Sequence, residues 1–238
     1  MLGKLIVFEG VEGCGKTTQI QKTYFWLLEK MRSQITTEDG VLFAIKQDVT
    51  KKNITWNAEN WLLMTRQPGG TELGLQLREL LLHNNLQEKI CSRSELLLYA
   101  ADRAQHIENF VKPHLAKGAI ILCDRYTDST VAYQGYGRGL DLSLINNLNY
   151  IATDGLESNL TLWLDVDVKI GLARTKQRGK TDLMEQTNLE FHQRVQAGYR
   201  ELAKLYPHRI IRIDASRSQI EVQQEIQRIL SKYLSISS

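Results

Sequence analysis

The sequence predicts an α/β protein in which a five-stranded parallel sheet is flanked by helices. Five short apolar runs alternate with longer segments whose leucines and isoleucines recur at helical spacing. The first apolar run leads into a glycine-rich loop, and that loop opens onto a helical pattern. With 238 residues, the chain is long enough for one such domain with a complete core.

Each predicted strand is a nearly continuous run of Val, Ile and Leu, which is typical of strands buried on both faces of a parallel sheet. In chain order the runs are KLIVFEG (4–10), WLLMTR (61–66), AIILCDRY (119–126), LTLWLDV (160–166) and RIIRIDAS (209–216). Strands separated by helical segments form right-handed crossovers, which place helices on both faces of the sheet.

Helices are predicted between and after these strands from the spacing of their apolar residues. They cover residues 16–31, 73–82, 94–118, 143–153, 168–179, 189–206 and 221–234. Gly118 ends the third of them, because glycine readily adopts the left-handed conformation that closes a helix.

About thirty residues, 32–60, separate the first helix from the second strand, where about 2–6 would suffice. We interpret this segment as an insertion. Within it VLFAIKQDV (41–49) and NITW (53–56) could pair as an edge hairpin, and a surface elaboration or such a hairpin is the favoured interpretation. A partner-binding or regulatory role is the alternative, and no feature of the sequence indicates it. No repeat or linker divides the chain, so one domain over residues 1–238 is predicted.

Bulk properties exclude several classes of protein. A net charge of +3 is too small to indicate a nucleic-acid-binding surface. The N-terminal LIVF run is too short for a signal peptide, and no stretch is long enough to span a membrane. Three cysteines without metal-ligand spacing indicate a reducing compartment. We therefore expect a cytoplasmic protein without a structural metal.

The loop after the first strand has the phosphate-binding pattern Gly10-x-x-x-x-Gly15-Lys16-Thr17. Its backbone N–H groups and the helix N-terminus favour phosphate oxygens. Lys16 is expected to contact the β- and γ-phosphates and to act as a catalytic residue. The Thr17 hydroxyl is expected to bind Mg²⁺. The predicted ATP-binding residues are Gly10, Val11, Glu12, Gly13, Cys14, Gly15, Lys16, Thr17 and Thr18.

The rest of the chain discriminates among proteins with this loop. A GTPase should carry N-K-x-D late in the sequence, and none is present. A motor or transporter ATPase usually has a glutamate after the strand-end aspartate, but Asp124 is followed by Arg125. An arginine beside a phosphate site suits a second anion, which favours phosphoryl transfer onto a phosphorylated acceptor.

At this point the chain resembles the thymidylate kinase family, in its bacterial form, within the nucleoside monophosphate kinases. The resemblance rests on FEGVEGCGKTT, TRQPGGTELG, ELLLYAADRAQH, DRYTDSTVAYQGYGRG and GLARTKQRGKTD, in that order. It implies phosphorylation of dTMP by ATP with Mg²⁺, a mobile lid and a homodimer. The alternatives are another nucleoside monophosphate specificity and a nucleotide-binding relative that has lost catalysis.

The resemblance also implies an acceptor site. Arg66 and Arg125 would clamp the acceptor monophosphate, with Arg125 also catalytic, and Arg103 would contact the thymine edge. The other residues implied to bind dTMP are Glu12, Arg78, Tyr99, Ser129, Thr130, Tyr133 and Gln134. Tyr99 lies one helical turn before Arg103, so an aromatic ring and an arginine share one face.

The metal and the lid complete the expected site. Asp124 would hold Mg²⁺ through water or orient Arg125. Residues 171–185 correspond to the lid, and because no basic residue occupies the x positions of the phosphate loop, Arg174 and Arg178 are the expected catalytic arginines there.

Two positions depart from the family pattern. Leu183 replaces an arginine of the lid, which leaves open which lid residue is catalytic. Gln67 replaces a glutamate, so the hydrogen bonding that would position neighbouring arginines is kept but the charge is lost.

Overall fold

The computed structural model of the chain describes residues 3–34, 56–58, 61–83, 88–177, 179, 183–184 and 187–236. Six strands within these ranges form one sheet. They are β1 (Lys4–Glu9), β2 (Trp56–Ala58), β3 (Leu62–Arg66), β4 (Ile120–Asp124), β5 (Leu160–Asp165) and β6 (Ile210–Asp214). Their order is β2-β3-β4-β1-β5-β6, and all neighbours are parallel except β2 and β3.

Helices cover both faces of this sheet. They are α1 (Lys16–Gln34), α2 (Glu72–His83), α3 (Ser92–His106), α4 (Lys112–Ala116), α5 (Thr127–Thr130), α6 (Leu142–Thr153), α7 (Val168–Gln177), α8 (Leu189–Leu205) and α9 (Gln219–Leu234). The predicted α/β class with five parallel strands is confirmed, and each predicted helix is present. No helix in the described ranges is long and apolar enough to cross a membrane.

The apolar strands are buried on both sides, as their composition predicts. Leu5 and Val7 of β1 belong to the core cluster on one face of the sheet, and Ile6 and Phe8 belong to the cluster on the other. All four side chains are fully buried. Because successive side chains of a strand point to opposite faces, a continuous apolar run supplies both halves of the core.

The long helix predicted for residues 94–118 is confirmed, with a local change of pitch. A π-helical segment, Ile107–Val111, joins α3 to α4. The helix closes at Gly118, whose φ of 86° is in the left-handed region.

No helix is predicted from the sequence between β4 and residue 143, but the structure has one there. Helix α5 continues into a π-helical segment, Val131–Gly137. Glycine, serine and threonine disfavour helix here, but tertiary packing overrides this. A Cβ on Gly137 would lie 2.6 Å from the Phe191 ring, and a Cβ on Gly198 would lie 2.8 Å from the Tyr136 ring. These glycines let α8 pack closely on the segment, which stabilises its helical conformation.

One edge of the sheet carries an addition to the predicted strands. Strand β2 pairs antiparallel with β3, with Trp56 opposite Met64. Trp56 belongs to the NITW run expected in a hairpin, but VLFAIKQDV and most of the predicted insertion lie outside the described residues.

The topology determines where a ligand site can form. Strand β1 is central, with β4 on one side and β5 on the other. Ligands of such sheets bind at the carboxyl ends of the strands, at the point where the strand order reverses. In register there, Asp124 lies opposite Phe8 of β1 and Arg66 of β3, so residues distant in sequence meet at one edge.

Candidate active site

A cleft of about 580 Å³ opens at the carboxyl ends of the strands. The predicted site residues that line it are Glu12, Gly13, Cys14, Gly15, Lys16, Thr17, Thr18, Arg66, Arg78, Tyr99, Arg103, Asp124, Arg125, Ser129, Thr130, Tyr133, Gln134 and Arg174. Of the other predicted residues, Gly10 and Val11 lie behind the loop surface, and Arg178 lies outside the described residues. The fold therefore brings nearly all of the predicted residues around one space.

The phosphate loop joins β1 to α1 and is held against α7. Gly13 has a φ of 70°, which favours glycine. A Cβ on Gly13 would lie 2.0 Å from the carbonyl oxygen of Gly171, and a Cβ on Gly171 would lie 2.3 Å from that of Glu12. The loop and the helix that begins the predicted lid thus meet backbone to backbone.

Lys16 is turned into its own loop. Its Nζ donates to the carbonyl oxygens of Gly10 at 2.9 Å and Val11 at 3.1 Å, and it contacts the Cys14 Sγ at 3.5 Å. The side chain is 7% exposed. The ammonium group therefore lies at the loop with its charge balanced mainly by carbonyl dipoles, and phosphate oxygens are stronger acceptors for it.

Arg125 lines the cleft and comes directly after β4. Its backbone has a φ of 70°, and its N–H donates to the Phe8 carbonyl oxygen at 3.0 Å. The guanidinium forms an ion pair with Glu12 and lies 4.8 Å above the centre of the Tyr133 ring. A non-glycine residue held in the left-handed region is strained, and such strain is found mostly at functional sites.

Glu12 is held as a carboxylate by these neighbours. Burial by itself would raise the pKa of Glu12, but the positive charges of Arg125 and Lys16 lower it to about 2. The Tyr133 hydroxyl also donates to Glu12, at 2.9 Å. The acid of the phosphate loop thus faces away from the backbone N–H groups and towards Arg125.

Glu9 ties the end of β1 to the segment that follows Arg125. Its carboxylate accepts from the backbone N–H of Tyr126 at 2.8 Å, the Ser129 Oγ at 2.6 Å and the Tyr199 hydroxyl at 2.7 Å. Ser129 Oγ also lies 3.2 Å from the Arg125 Nη1. Burial raises the pKa of Glu9. This network fixes the start of α5 and, through it, the position of Arg125.

Two arginines lie together on the far side of Arg125. Arg66 ends β3, and Arg78 reaches from α2 to donate to the Pro68 carbonyl oxygen at 3.0 Å. Burial and the charge of Arg78 lower the pKa of Arg66. Within the described part of the chain the Arg66 guanidinium has no hydrogen-bond partner. A ligand carrying negative charge would offset the repulsion between the Arg66 and Arg78 guanidinium groups.

Arg103 lies at the floor of the same end and is almost fully bonded. Its Nε donates to Gln67 at 2.9 Å, Nη1 to Asn149 at 2.8 Å, and Nη2 to Thr130 at 2.8 Å and the Tyr126 carbonyl oxygen at 3.2 Å. A guanidinium has five N–H donors. Four are taken among the described residues, which leaves one on Nη1.

Gln134 is oriented by a buried acid. Its Nε2 donates to Glu95 at 2.8 Å, and Glu95 pairs with Arg138 at 3.1 Å. The amide oxygen of Gln134 is therefore directed away from Glu95, and Gln134 lines the cleft together with Tyr99.

Asp124 and Thr17 together line a small cavity of about 30 Å³ that adjoins the main cleft. The Oδ1 of Asp124 is buried and has no hydrogen-bond partner among the described residues. A buried, unpaired carboxylate oxygen beside a hydroxyl is a donor set that suits Mg²⁺. The two predicted metal-binding residues thus fit that ion.

The lid is described only in part. Arg174 of α7 is exposed, and its Nη1 lies 3.4 Å from the Ala215 carbonyl oxygen. Lys180, Asp182 and Glu185 lie outside the described residues, as Arg178 does. Of the two expected catalytic arginines, Arg174 is therefore placed at the mouth of the cleft.

One wall of the cleft was not predicted from the sequence. This wall consists of Ala215, Arg217, Ser218, Gln219 and Val222, at the end of β6 and the start of α9. Ser218 caps α9, with its backbone N–H bonded to Glu221 and its hydroxyl facing the Glu221 backbone. The rule that ligands bind at strand ends would have pointed to this segment, although no motif marks it.

A phosphate loop at the end of the central strand, facing arginines across one cleft, defines the class of P-loop phosphotransferases. A family model described as thymidylate kinase matches residues 46–226. A thymidylate kinase of Trichodesmium erythraeum is 57% identical over 98% of this chain and 97% of its own length, and one of Nostoc punctiforme is 54% identical over 98% of each. The chain belongs to the thymidylate kinase family.

A solved structure supports the same conclusion. The crystal structure of thymidylate kinase from Ehrlichia chaffeensis has a TM-score of 0.68 and 32% identity to this chain, covering 96% of this chain and 98% of the other. The resemblance stated from the sequence motifs is confirmed.

Proposed function

We propose that this chain transfers the γ-phosphoryl group of ATP to dTMP, producing dTDP, the reaction after which its family is named. The observation that carries the proposal is the single cleft that is lined both by a phosphate loop and by three arginines, Arg66, Arg103 and Arg125. Two anions that must approach each other need cations between and around them.

The phosphate-loop end is the proposed ATP site. Backbone N–H groups of residues 10–18 and the α1 N-terminus would hold the β- and γ-phosphates. Lys16 would exchange its carbonyl partners for phosphate oxygens, which are stronger acceptors. Arg174 and, from the undescribed part of the lid, Arg178 would add charge on the outer side.

The arginine end is the proposed dTMP site. Arg66 and Arg125 would clamp the acceptor phosphate. The Arg66 guanidinium lacks a hydrogen-bond partner among the described residues, and Arg125, which pairs with Glu12 of the phosphate loop, lines the same cleft. Arg103, with its remaining N–H, would donate to the thymine edge. The other residues proposed to surround dTMP are Glu12, Arg78, Tyr99, Ser129, Thr130, Tyr133 and Gln134.

The residues of the cleft act chiefly through charge. The acceptor phosphate already carries negative charge near neutral pH, so no general base is required. Arg125 would bridge acceptor and donor phosphates and stabilise the charge that gathers on the transferred group. Asp124 and Thr17 would hold Mg²⁺, which neutralises phosphate charge when it is bound.

The homodimer and the compartment are also part of the proposal. Helices α3 and α6 pack side by side and expose large apolar side chains, with Leu97 at 50%, Tyr150 at 68% and Ile151 at 73% exposed. Adjacent apolar side chains of this kind favour a protein–protein contact.

Cys14, Cys91 and Cys123 are all free thiols, which supports a reducing, cytoplasmic setting. We further propose that residues 1–238 form one domain whose lid corresponds to residues 171–185, part of which lies outside the described residues.

Turnover of a nucleotide panel tests the reaction. Purified protein with ATP and Mg²⁺ is expected to phosphorylate dTMP with a higher kcat/KM than dUMP, dCMP or UMP. Lys16→Met serves as the control, because loss of activity in that variant shows that turnover belongs to this site. No turnover of dTMP at micromolar enzyme would refute the proposal, and preference for another monophosphate would reassign the acceptor.

The metal assignment has a separate test. Asp124→Asn is expected to raise the Mg²⁺ concentration for half-maximal rate by about tenfold or more, because the amide keeps the shape but loses the charge. The rate is measured against free Mg²⁺ at saturating ATP. Asp141→Asn is the matched control, since Asp141 caps α6 and asparagine caps equally well. Equal Mg²⁺ dependence of Asp124→Asn and wild type would contradict the assignment.

A further inference from the structure

Beneath the arginine end of the cleft, Gln67 lies between two buried side chains. Its Oε1 accepts from the Arg103 Nε at 2.9 Å, and its Nε2 lies 2.8 Å from the His106 Nδ1. The exposed fractions of Gln67, Arg103 and His106 are 4%, 2% and 0%. The three side chains form a continuous chain of hydrogen bonds that is shielded from water.

The direction of each of these hydrogen bonds determines the direction of the next. Arginine can only donate, so the oxygen of the Gln67 amide must face Arg103 and its NH₂ group must face His106. The His106 Nδ1 must then accept, so it carries no proton. The proton of the neutral ring is on Nε2, which donates to the Thr65 Oγ1 at 2.8 Å.

His106 is enclosed on its remaining sides. Its ring stacks on Phe110, with ring centres 5.4 Å apart and planes inclined by 14°. A Cβ on Gly70 would lie 2.5 Å from the ring. Burial and the charge of Arg103 lower the pKa of His106 to about 3. The histidine is therefore neutral and fixed in one orientation.

This arrangement explains why glutamine occupies position 67. A carboxylate there could accept from Arg103 but could not donate to His106, so the proton of the neutral ring would have to move to Nδ1, and Nε2 would have to accept from the Thr65 hydroxyl. Glutamine both accepts and donates, and it therefore matches the neutral ring that carries its proton on Nε2.

We propose that His106 is a positioning residue for the acceptor site, acting on Arg103 through Gln67. Arg103 has its Nε held by Gln67 and its Nη atoms held by Asn149, Tyr126 and Thr130, so the direction of its one remaining N–H depends on all of these contacts. The inference rests on the proposed function, in which that N–H meets dTMP. His106 itself does not line the cleft.

Paired substitutions test the relay, by which we mean the hydrogen bonds that run from His106 through Gln67 to Arg103. His106→Leu is expected to raise the KM for dTMP about tenfold while the KM for ATP changes less than about twofold. His106→Asn, which keeps an acceptor near the position of Nδ1, is expected to restore most of that loss. His114→Leu is the matched control, because His114 lies on the same long helix, contacts the same Phe110 ring and is remote from the cleft.

A second substitution separates the relay from general packing. Gln67→Met removes both hydrogen bonds at similar volume and is expected to raise the KM for dTMP by a similar factor. Adding His106→Leu to it should then raise that KM little further, since the relay is already broken. The proposal would be overturned if the two substitutions multiply each other's effect on the KM for dTMP. It would also be overturned if His106→Leu raises the KM values for dTMP and ATP equally and His106→Asn does not restore them.

The tautomer is measured independently of turnover. Nitrogen-15 NMR of the wild-type ring is expected to show a protonated Nε2 and a bare Nδ1 at pH 7, and Gln67→Met should weaken this preference. A protonated Nδ1 in wild type would overturn the relay even if dTMP is the substrate. Absence of dTMP turnover in wild type would instead refute the proposed function on which the relay rests.

Discussion

Arg125→Met is expected to lower kcat/KM for dTMP by about three orders of magnitude, a loss typical of arginines that stabilise charge during phosphoryl transfer. Arg125 pairs with Glu12 of the phosphate loop and lines the cleft together with Arg66. Methionine keeps much of the volume but carries no charge. Steady-state rates with dTMP and ATP varied in turn would show whether the loss lies in kcat, as a transition-state role requires.

The same substitution is expected to destabilise the fold, because it leaves Glu12 without its ion-pair partner. Removing one member of a buried pair typically lowers the free energy of unfolding by about 3–5 kcal/mol, and the partial exposure of this pair, 18% for Arg125 and 16% for Glu12, puts the expected loss at about 2–3 kcal/mol. Adding Glu12→Gln should recover part of that stability without recovering turnover. Recovery of turnover in the double variant would show that Arg125 acts only by neutralising Glu12.

The pH dependence of this destabilisation follows from the pKa of Glu12. Its pKa is lowered in the folded protein from 4.5 to about 2, so the ion pair stabilises the fold fully above about pH 4.5. That contribution is lost as the pH falls towards 2. The difference in unfolding free energy between wild type and Arg125→Met should therefore shrink over this interval. Arg125→Lys, which keeps the charge and the same backbone strain, should show a smaller difference throughout.

Gly171→Ala is expected to weaken ATP binding about tenfold or more and to lower the free energy of unfolding by about 1–3 kcal/mol. Alanine in place of glycine within a helix ordinarily stabilises by about 1 kcal/mol. Here the added Cβ would lie 2.3 Å from the Glu12 carbonyl oxygen, so α7 or the phosphate loop must move. The KM for ATP and denaturant unfolding without nucleotide measure the two effects.

Ala173→Gly is the control for Gly171→Ala, since Ala173 is exposed on the same helix. It should lower stability by about 1 kcal/mol through helix propensity alone and leave the KM for ATP unchanged. A stabilised Gly171→Ala variant with unchanged ATP binding would show that the contact between loop and helix is not required.

The predicted strands and helices depend on local patterns, and these were sufficient for the fold class. An apolar run such as LIVF is typical of a strand that is buried on both faces of a sheet, and the structure confirms this for β1. No helix was predicted for residues 127–137, because their composition disfavours helix. Packing of α8 against Gly137 decides their conformation, and that contact joins residues more than fifty positions apart.

Part of the candidate site was likewise predicted from local motifs, and the rest depends on contacts between distant residues. Motifs placed Lys16, Arg66, Asp124 and Arg125 at strand ends and helix starts, where the topology gathers them. No motif marked the Ala215–Val222 wall. From the sequence, the glutamine at position 67 was expected to keep hydrogen bonding to neighbouring arginines and to lose the charge of a glutamate. Its meaning depends on His106, thirty-nine residues away, with which it shares a hydrogen bond.

The sequence by itself determined the order of strands and helices, the phosphate loop and the set of charged residues at its disposal, because each depends on residues within a few positions of one another. Only the tertiary structure decided how those residues are paired. Glu12 is matched to Arg125, Gln67 to Arg103 and His106, and Gly171 to the phosphate loop. Side-chain pairing and close backbone contact depend on distances in space, which the chain establishes only when distant segments pack together.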